Sequence, residues 1–235
     1  MTPIPVILNP TAGGGRLLRH QRRLSAAARR EGVELEWWLT EQRGDGERLG
    51  CRAATEGHPL ALAWGGDGTY NEVARGLVGS ATAMGVLPGG TTSVFAYELG
   101  VPRPASRALV PLLRGADRAM RVGRSDRGDL VLLMLSAGVD ALVVEEAFRR
   151  RRHLGGKTSI AVQAVRELVR RRPLPRVRVR TGSSVIEGGW AIVGNAGCYG
   201  GPLRATPGAD PFEPGFELVV QTAVGRPQAI GFALA

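Results

Sequence analysis

The residues best placed to do chemistry are glycines gathered around a few polar side chains. Three clusters occupy the first half of the chain. They are Asn9-Pro10-Thr11-Ala12-Gly13-Gly14-Gly15-Arg16, Gly65-Gly66-Asp67-Gly68-Thr69-Tyr70-Asn71-Glu72 and Leu87-Pro88-Gly89-Gly90-Thr91-Thr92. Glycine lets backbone N–H groups approach a phosphate closely, and a helix N-terminus behind such a loop adds free donors and the positive end of a dipole. Asp67 is the one carboxylate among the glycines, the natural candidate to hold a metal ion on a nucleotide or to position reacting groups. The competing reading of each cluster is a tight turn, with Thr69, Thr91 or Thr92 as helix cap. Three clusters in succession favour a phosphate site over three unrelated turns. None is a Walker A loop, and the first is not a GxGxxG fingerprint followed by an acidic residue about 20 positions on.

The elements that must position these loops follow from the apolar spacing. Ile4–Leu8, Val33–Leu39, Leu60–Trp64 and Met84–Leu87 read as strands. Helical patterns fall between and after them, near 16–30, 48–56, 70–77, 92–99 and 106–114. Strand and helix in alternation imply a mostly parallel sheet flanked by helices, with ligands at the carboxyl ends of the strands, where all three glycine clusters lie. Beyond residue 118 the pattern changes. Stretches 120–122, 130–136, 176–181, 190–195 and 216–222 read as strands, interrupted by helical patterns at 141–152 and 157–171. The expected architecture is an α/β domain over residues 1–117 that carries the glycine loops, followed by a β-rich antiparallel domain over 118–235.

Taken together these residues carry a family resemblance. Asn-Pro-x-x-Gly after the first strand, Gly-Gly-Asp-Gly-Thr-x-Asn-Glu-Val after the third and Gly-Val-Leu-Pro-x-Gly-Thr after the fourth resemble the diacylglycerol kinase catalytic domain, as found in bacterial soluble lipid kinases and in sphingosine and ceramide kinases. The likeness continues through Ser136–Asp140, Gly194-Asn195, Tyr199–Gly201 and Ala205–Asp210. It implies an ATP-dependent kinase that transfers the γ-phosphate to a lipid hydroxyl. ATP would lie against Asn9, Pro10, Thr11, Ala12, Gly13, Thr40, Gly65, Gly66, Asp67, Gly68, Thr69, Tyr70, Asn71 and Thr91. Phosphoryl transfer needs mainly positioning and charge neutralisation. The resemblance also implies Mg²⁺ near the turn 209–218, with Asp210 and Glu213 giving side-chain oxygens and Gly215 a backbone carbonyl; hard oxygen ligands suit that ion.

The chain departs from the family pattern in places. Gly90-Thr91-Thr92-Ser93 lacks the asparagine of Gly-Thr-x-Asn, and Val94 and Tyr97 stand where most bacterial members have an aspartate and an arginine. The family's general base, a glutamate in an Asp-Gly-Glu near the C-terminus, has no counterpart in the second half. Asp45-Gly46-Glu47 holds the letters but follows the second strand. The expectation is a chain that lacks the C-terminal segment and turns over weakly or not at all, since a missing general base costs about 10²–10⁴ in rate. The alternatives are a NAD kinase-like enzyme, which shares GGDGT, and a nucleotide- and membrane-binding protein without turnover.

Composition narrows the partners. The formal net charge is +10 over 235 residues. Residues 149–180 hold twelve cations and one acid, Glu167, so this segment carries the whole excess. It points to peripheral contact with an anionic membrane, at about 1 kcal/mol per cation near the surface. No aromatic residue interrupts the segment, which disfavours nucleic acid as a partner. A homodimer stays open. Two cysteines without a CxxC and three scattered histidines argue against a zinc module or a disulfide scaffold. The N-terminus has no signal-peptide pattern, and the longest apolar stretch, Leu130–Val139, is about half of a bilayer span. The expected location is cytoplasmic, with peripheral membrane association.

Overall fold

A computed structural model describes residues 2–139, 141 and 175–222. The helical patterns expected at 141–152, apart from residue 141, and at 157–171, and the basic segment as far as residue 174, fall on residues outside the described ones.

Four strands form a parallel sheet in the order β2-β1-β3-β4: β1 Ile4–Leu8, β2 Leu35–Leu39, β3 Leu60–Gly65 and β4 Ala83–Pro88. Val6, Ile7 and Leu8 of β1 and Leu62, Ala63 and Trp64 of β3 are wholly or almost wholly buried. Both pleat faces of these central strands are covered, which is why they read as continuous apolar runs. On one face Val6, Leu8, Leu62, Trp64 and Leu87 pack with Leu24 and Ala28 of α2 (Gln21–Arg30) and Ala105, Ala108 and Leu109 of α6 (Ala105–Arg114). The alternate residues Ile7, Ala61, Ala63 and Val86 face the other way, where α3 (Asp45–Thr55) and α4 (Asp67–Leu77) lie against the sheet.

Helices α3 and α4 approach to backbone contact through glycines. A Cβ on Gly50 would stand 2.7 Å from the Val73 carbonyl oxygen, and one on Gly76 would stand 2.6 Å from the Cys51 nitrogen. Helix α3 starts at Asp45, ahead of the expected residue 48. The Asp45 carboxylate accepts from the N–H groups of Glu41 (2.8 Å) and Gln42 (3.0 Å) and turns the chain into the helix. Those two bonds, then Arg48, hold its carboxyl below the usual carboxylate range. The expected helix over 16–30 opens with a 3-10 turn, Leu17–His20, before α2 begins.

The chain divides into two compact units. One runs to Leu132 and takes in Gly200–Pro202; the other begins at Leu133. The single strand expected over 130–136 is therefore two. β6 (Leu130–Val131) pairs with β5 (Gly123–Arg124) in the first unit, and β7 (Met134–Gly138) joins the second. The apolar run Leu130–Leu135 contains no Gly or Pro to mark that break. No strand forms at 120–122.

In the second unit β7, β10 (Trp190–Gly194) and β13 (Glu217–Gln221) make an antiparallel sheet with β10 in the middle. β8 (Val177–Thr181) and β9 (Ser184–Gly188) form a hairpin whose two-residue loop places Gly182 at φ +54°. β11 (Cys198–Tyr199) and β12 (Leu203–Arg204) make a short pair. No described helix is long and apolar enough to cross a membrane.

Candidate functional site

The first glycine cluster leaves the carboxyl end of β1. Asn9 continues the strand pairing by donating its N–H to the Trp64 carbonyl (3.0 Å). Its side-chain oxygen accepts from the Thr11 N–H (3.0 Å) and the Thr11 hydroxyl (2.8 Å), and its Nδ2 donates to Thr69 Oγ1 (3.2 Å). One side chain thus shapes its own loop and ties it to the first turn of α4. Pro10 and Ala12 fill out the turn, with the Ala12 N–H bonded to the Asn9 carbonyl at 3.2 Å. Residues Ala12–Gly15 make one distorted turn, α1, in which Gly13, Gly14 and Gly15 have φ of +59°, +75° and +77°. Side chains avoid this left-handed region. A Cβ on Gly13 would also run into the Gly89 carbonyl oxygen, so the first and third loops touch backbone to backbone.

The second and third loops meet on one oxygen. The carbonyl of Gly65, the last residue of β3, accepts from the N–H groups of Gly89 (2.8 Å) and Gly90 (2.7 Å) and from the Tyr70 hydroxyl (2.7 Å), with Ser93 Oγ at 3.5 Å. Gly66 and Gly90 are packed so closely that a Cβ on Gly90 would lie 2.7 Å from the Gly66 Cα. The Tyr70 side chain lies beneath the loops rather than in front of them. It is fully buried, and its hydroxyl also reaches the Leu87 carbonyl (3.0 Å) and Ser93 Oγ (3.3 Å). Burial pushes this phenol up to about 12, so it stays protonated and donating.

Helix α4 opens at Gly66, which is extended and offers no side-chain cap. Thr69 does not cap it; its hydroxyl instead receives Asn9 Nδ2. The first intrahelical bond runs from the Tyr70 N–H to the Gly66 carbonyl (3.1 Å). The N–H groups of Asp67, Gly68 and Thr69 therefore precede the helical ladder. Gly68 is exposed, with open space where a Cβ would stand. This is a cradle that suits phosphate oxygens.

Asp67 caps a different helix. Its Oδ2 accepts from the Val94 N–H (3.0 Å) and its Oδ1 from the Phe95 N–H (2.9 Å), the first two residues of the short helix α5 (Val94–Glu98). Neither Thr91 nor Thr92 caps that helix; Ser93 occupies the cap position at φ +48°. Arg103 Nη2 donates to the Gly90 (3.2 Å) and Thr92 (2.7 Å) carbonyls, holding the third loop from its far side. Arg103 escapes sequence reading because no local motif marks it; Ser93 stands at the asparagine position of the family pattern, but its bonds to Tyr70 and the Gly65 carbonyl are not legible there. Asp67 was legible as a polar residue in a glycine loop, but its two amide partners were not.

Thr40 follows β2 and is buried, with its N–H on the Leu8 carbonyl (3.0 Å), so it sits at the same sheet edge as the first loop. Asn71 is half-buried on α4, and Thr91 is exposed at the tip of the third loop. Asp210, Glu213 and Gly215 belong to the second unit and share one exposed turn. Asp210 Oδ1 accepts the Phe212 N–H (2.8 Å), the Asp210 carbonyl accepts the Glu213 N–H (3.1 Å), and Gly215 has φ +114°. Among the described residues no group of three or more His, Cys, Asp or Glu is assembled to hold a metal ion.

Comparison with known proteins agrees with this geometry. Residues 3–125 match the diacylglycerol kinase catalytic domain. The chain is 28% identical over 187 residues to a Citrobacter koseri protein named "Probable lipid kinase YegS-like", an alignment covering 77% of this chain and 62% of that protein. It is 27% identical to a diacylglycerol kinase of Mycobacterium tuberculosis, covering 88% of this chain and 69% of the relative. It is 34% identical to a diacylglycerol kinase of Bacillus subtilis, covering 51% and 40%. The chain thus spans about three fifths of the Citrobacter relative's length. The crystal structure of a diacylglycerol kinase from Bacillus anthracis superposes with a TM-score of 0.77 at 21% identity, covering 98% of this chain and 79% of that one. With the three glycine loops in place at the carboxyl edge of the sheet, the chain belongs to the diacylglycerol kinase catalytic domain family.

Proposed function

We propose that the protein binds ATP on the three glycine loops and serves phosphoryl transfer to a lipid hydroxyl. The observation that carries this reading is the convergence of the loops. Gly13 rests on the Gly89 carbonyl, Gly66 on Gly90, and the uncapped start of α4 opens beside them. Such an arrangement offers backbone donors to a polyphosphate without needing a lysine. Asn9, Pro10, Thr11, Ala12, Gly13, Gly65, Gly66, Gly68, Thr69, Asn71 and Thr91 would surround the nucleotide, with Thr40 at the edge. Asp67 acts on the reaction by fixing α5 and the third loop, since both of its oxygens already accept backbone N–H groups. The nucleotide phosphates carry Mg²⁺ with them when bound. Asp210, Glu213 and the Gly215 carbonyl would offer Mg²⁺ hard oxygen donors from one exposed turn, although they are not gathered into a ligand cluster.

The lipid is reached at a membrane surface. Arg176, Arg178 and Arg180 are exposed at alternate positions into and along β8, and Arg178 pairs with Glu187 at 2.7 Å. They continue the cationic run of residues 149–174. Anionic headgroups would attract this stretch and concentrate the protein beside its substrate.

The test is transfer of label from γ-labelled ATP with Mg²⁺ to vesicles of diacylglycerol, phosphatidylglycerol or a sphingoid base, with NAD as a separate acceptor. Label in one lipid supports the reading and names the acceptor. Label in NAD alone replaces it with the NAD kinase reading. Saturable ATP and vesicle binding without transfer to any acceptor would reduce the protein to a binding role.

A further inference from the structure

The glycine loops cannot hold their own shape. Glycine has the widest conformational freedom of any residue, so something outside the loops must fix how the second and third face each other. The Gly65 carbonyl oxygen does this by collecting the Gly89 N–H, the Gly90 N–H and the Tyr70 hydroxyl, all between 2.7 and 2.8 Å. Ser93 adds a second hydroxyl. Its Oγ accepts the Gly90 N–H (3.1 Å) and lies 3.3 Å from the Tyr70 oxygen. Ser93 is buried and held at φ +48°, a conformation that non-glycine residues rarely adopt. Strain of this kind persists only where surrounding contacts over-determine it.

Neither hydroxyl faces the open side of the loops. Tyr70 reaches from α4 and ties the end of β3, at Gly65, to the penultimate residue of β4, Leu87. Ser93 ties the start of α5 back to Gly90. With the Gly89 and Gly90 amides turned inward, the Thr91 and Thr92 amides at the tip carry no hydrogen bond among the described residues.

We infer that Tyr70 and Ser93 are positioning residues, a buried hydroxyl pair that sets the third glycine loop against the second so that both present backbone donors to the phosphates of the nucleotide. The inference rests on the ATP reading above. Tyr70 is thereby assigned a role beneath the nucleotide rather than in contact with it. An ordinary aliphatic residue at position 70 could pack against Phe95, whose ring centroid is 6.3 Å away, but it could not join the two strands.

The experiment compares MgATP and adenosine binding by calorimetry for the wild type, Tyr70→Phe, Ser93→Ala and the double variant. Amide exchange at Gly89 and Gly90 is measured alongside. Tyr70→Phe keeps the ring and removes only the hydroxyl. The expected result is a fall of about tenfold in ATP affinity relative to adenosine in each single variant. The double variant should fall by no more than about threefold further, because coupled residues are not additive. Exchange at Gly90 should rise more than exchange along α4. If Tyr70→Phe does not fold, Ser93→Ala carries the same test. Equal losses for ATP and adenosine, or an unchanged ratio, would overturn the inference while leaving ATP binding itself intact. Failure of the wild type to bind ATP would instead remove the functional reading on which it stands.

Discussion

Replacing Asp67 separates two roles that a carboxylate in a glycine loop can play. A carboxylate kept only for a ligand is a burden to the empty protein, and its removal leaves stability unchanged or raises it. A capping carboxylate behaves in the opposite way. Here both oxygens of Asp67 accept backbone N–H groups of α5, at 3.0 and 2.9 Å. Hydrogen bonds to a charged group contribute about 1.5–3 kcal/mol each, and Asp67 is half-buried, so the lower end applies. Asp67→Ala therefore costs about 2–3 kcal/mol. Asp67→Asn keeps one acceptor but turns an amide NH₂ toward the other donor, costing about 1–2 kcal/mol. At about 2–4 °C per kcal/mol for a protein of this size, the alanine variant melts roughly 4–12 °C below wild type. The assay is thermal or urea unfolding without nucleotide or divalent ion. Because Val94, Phe95 and Ala96 are buried, loosening α5 should also expose apolar surface. An unchanged or higher midpoint for Asp67→Ala in the empty protein would refute the reasoning and return Asp67 to direct ligand contact.

Other outcomes follow from the same structure. Gly50→Ala puts a methyl 2.7 Å from the Val73 carbonyl in the α3–α4 seam, and urea unfolding should show a loss of about 1–3 kcal/mol. Asp45 is held below the ordinary carboxylate range by the Glu41 and Gln42 amides, so its contribution is complete at neutral pH and is lost as the pH falls through its lowered folded value. An acid titration of the unfolding midpoint should therefore drop less steeply in Asp45→Asn. Neutralising Arg149–Arg152 with glutamine should weaken binding to phosphatidylglycerol vesicles by up to about 10³-fold at low salt, at about 1 kcal/mol per cation. Wild-type binding should itself fade as salt rises; sedimentation of vesicles with protein reads both.

Much of the α/β unit was legible because its signals are local. The strand expected at Ile4–Leu8 has those bounds in the structure, and Leu60–Trp64 and Met84–Leu87 extend by only a residue at one end or both. Long apolar runs between glycine clusters leave little choice of element. Helix starts were less legible, because caps work through space. Asp45 turns α3 on early through the two amides before it, and Asp67 caps a helix 27 residues away. The hairpin strand Ser184–Gly188 went unread, since it is short and mostly exposed, and its partner β8 defines it. The glycine clusters suggested a phosphate site, but the hub at the Gly65 carbonyl is built from backbone atoms that carry no sequence signature. Tyr70 shows the limit most plainly: its position in the motif did not reveal that its side chain is buried and bonded to the Gly65 carbonyl.

The central claim is that the uncapped start of α4 and the glycine loops around it hold the phosphates of ATP. Gly68→Ala tests it with stability and affinity pulled apart. Gly68 has no left-handed φ, lies in the first turn of α4, and has open space where the methyl would stand. Alanine there should stabilise the empty protein by about 0.5–1 kcal/mol through helix propensity alone. The same methyl enters the space in which a phosphate must approach the first-turn amides, so calorimetric titration with MgATP should show affinity reduced by about tenfold or more. A Gly68→Ala protein that is more stable and binds ATP as tightly as wild type would contradict the account.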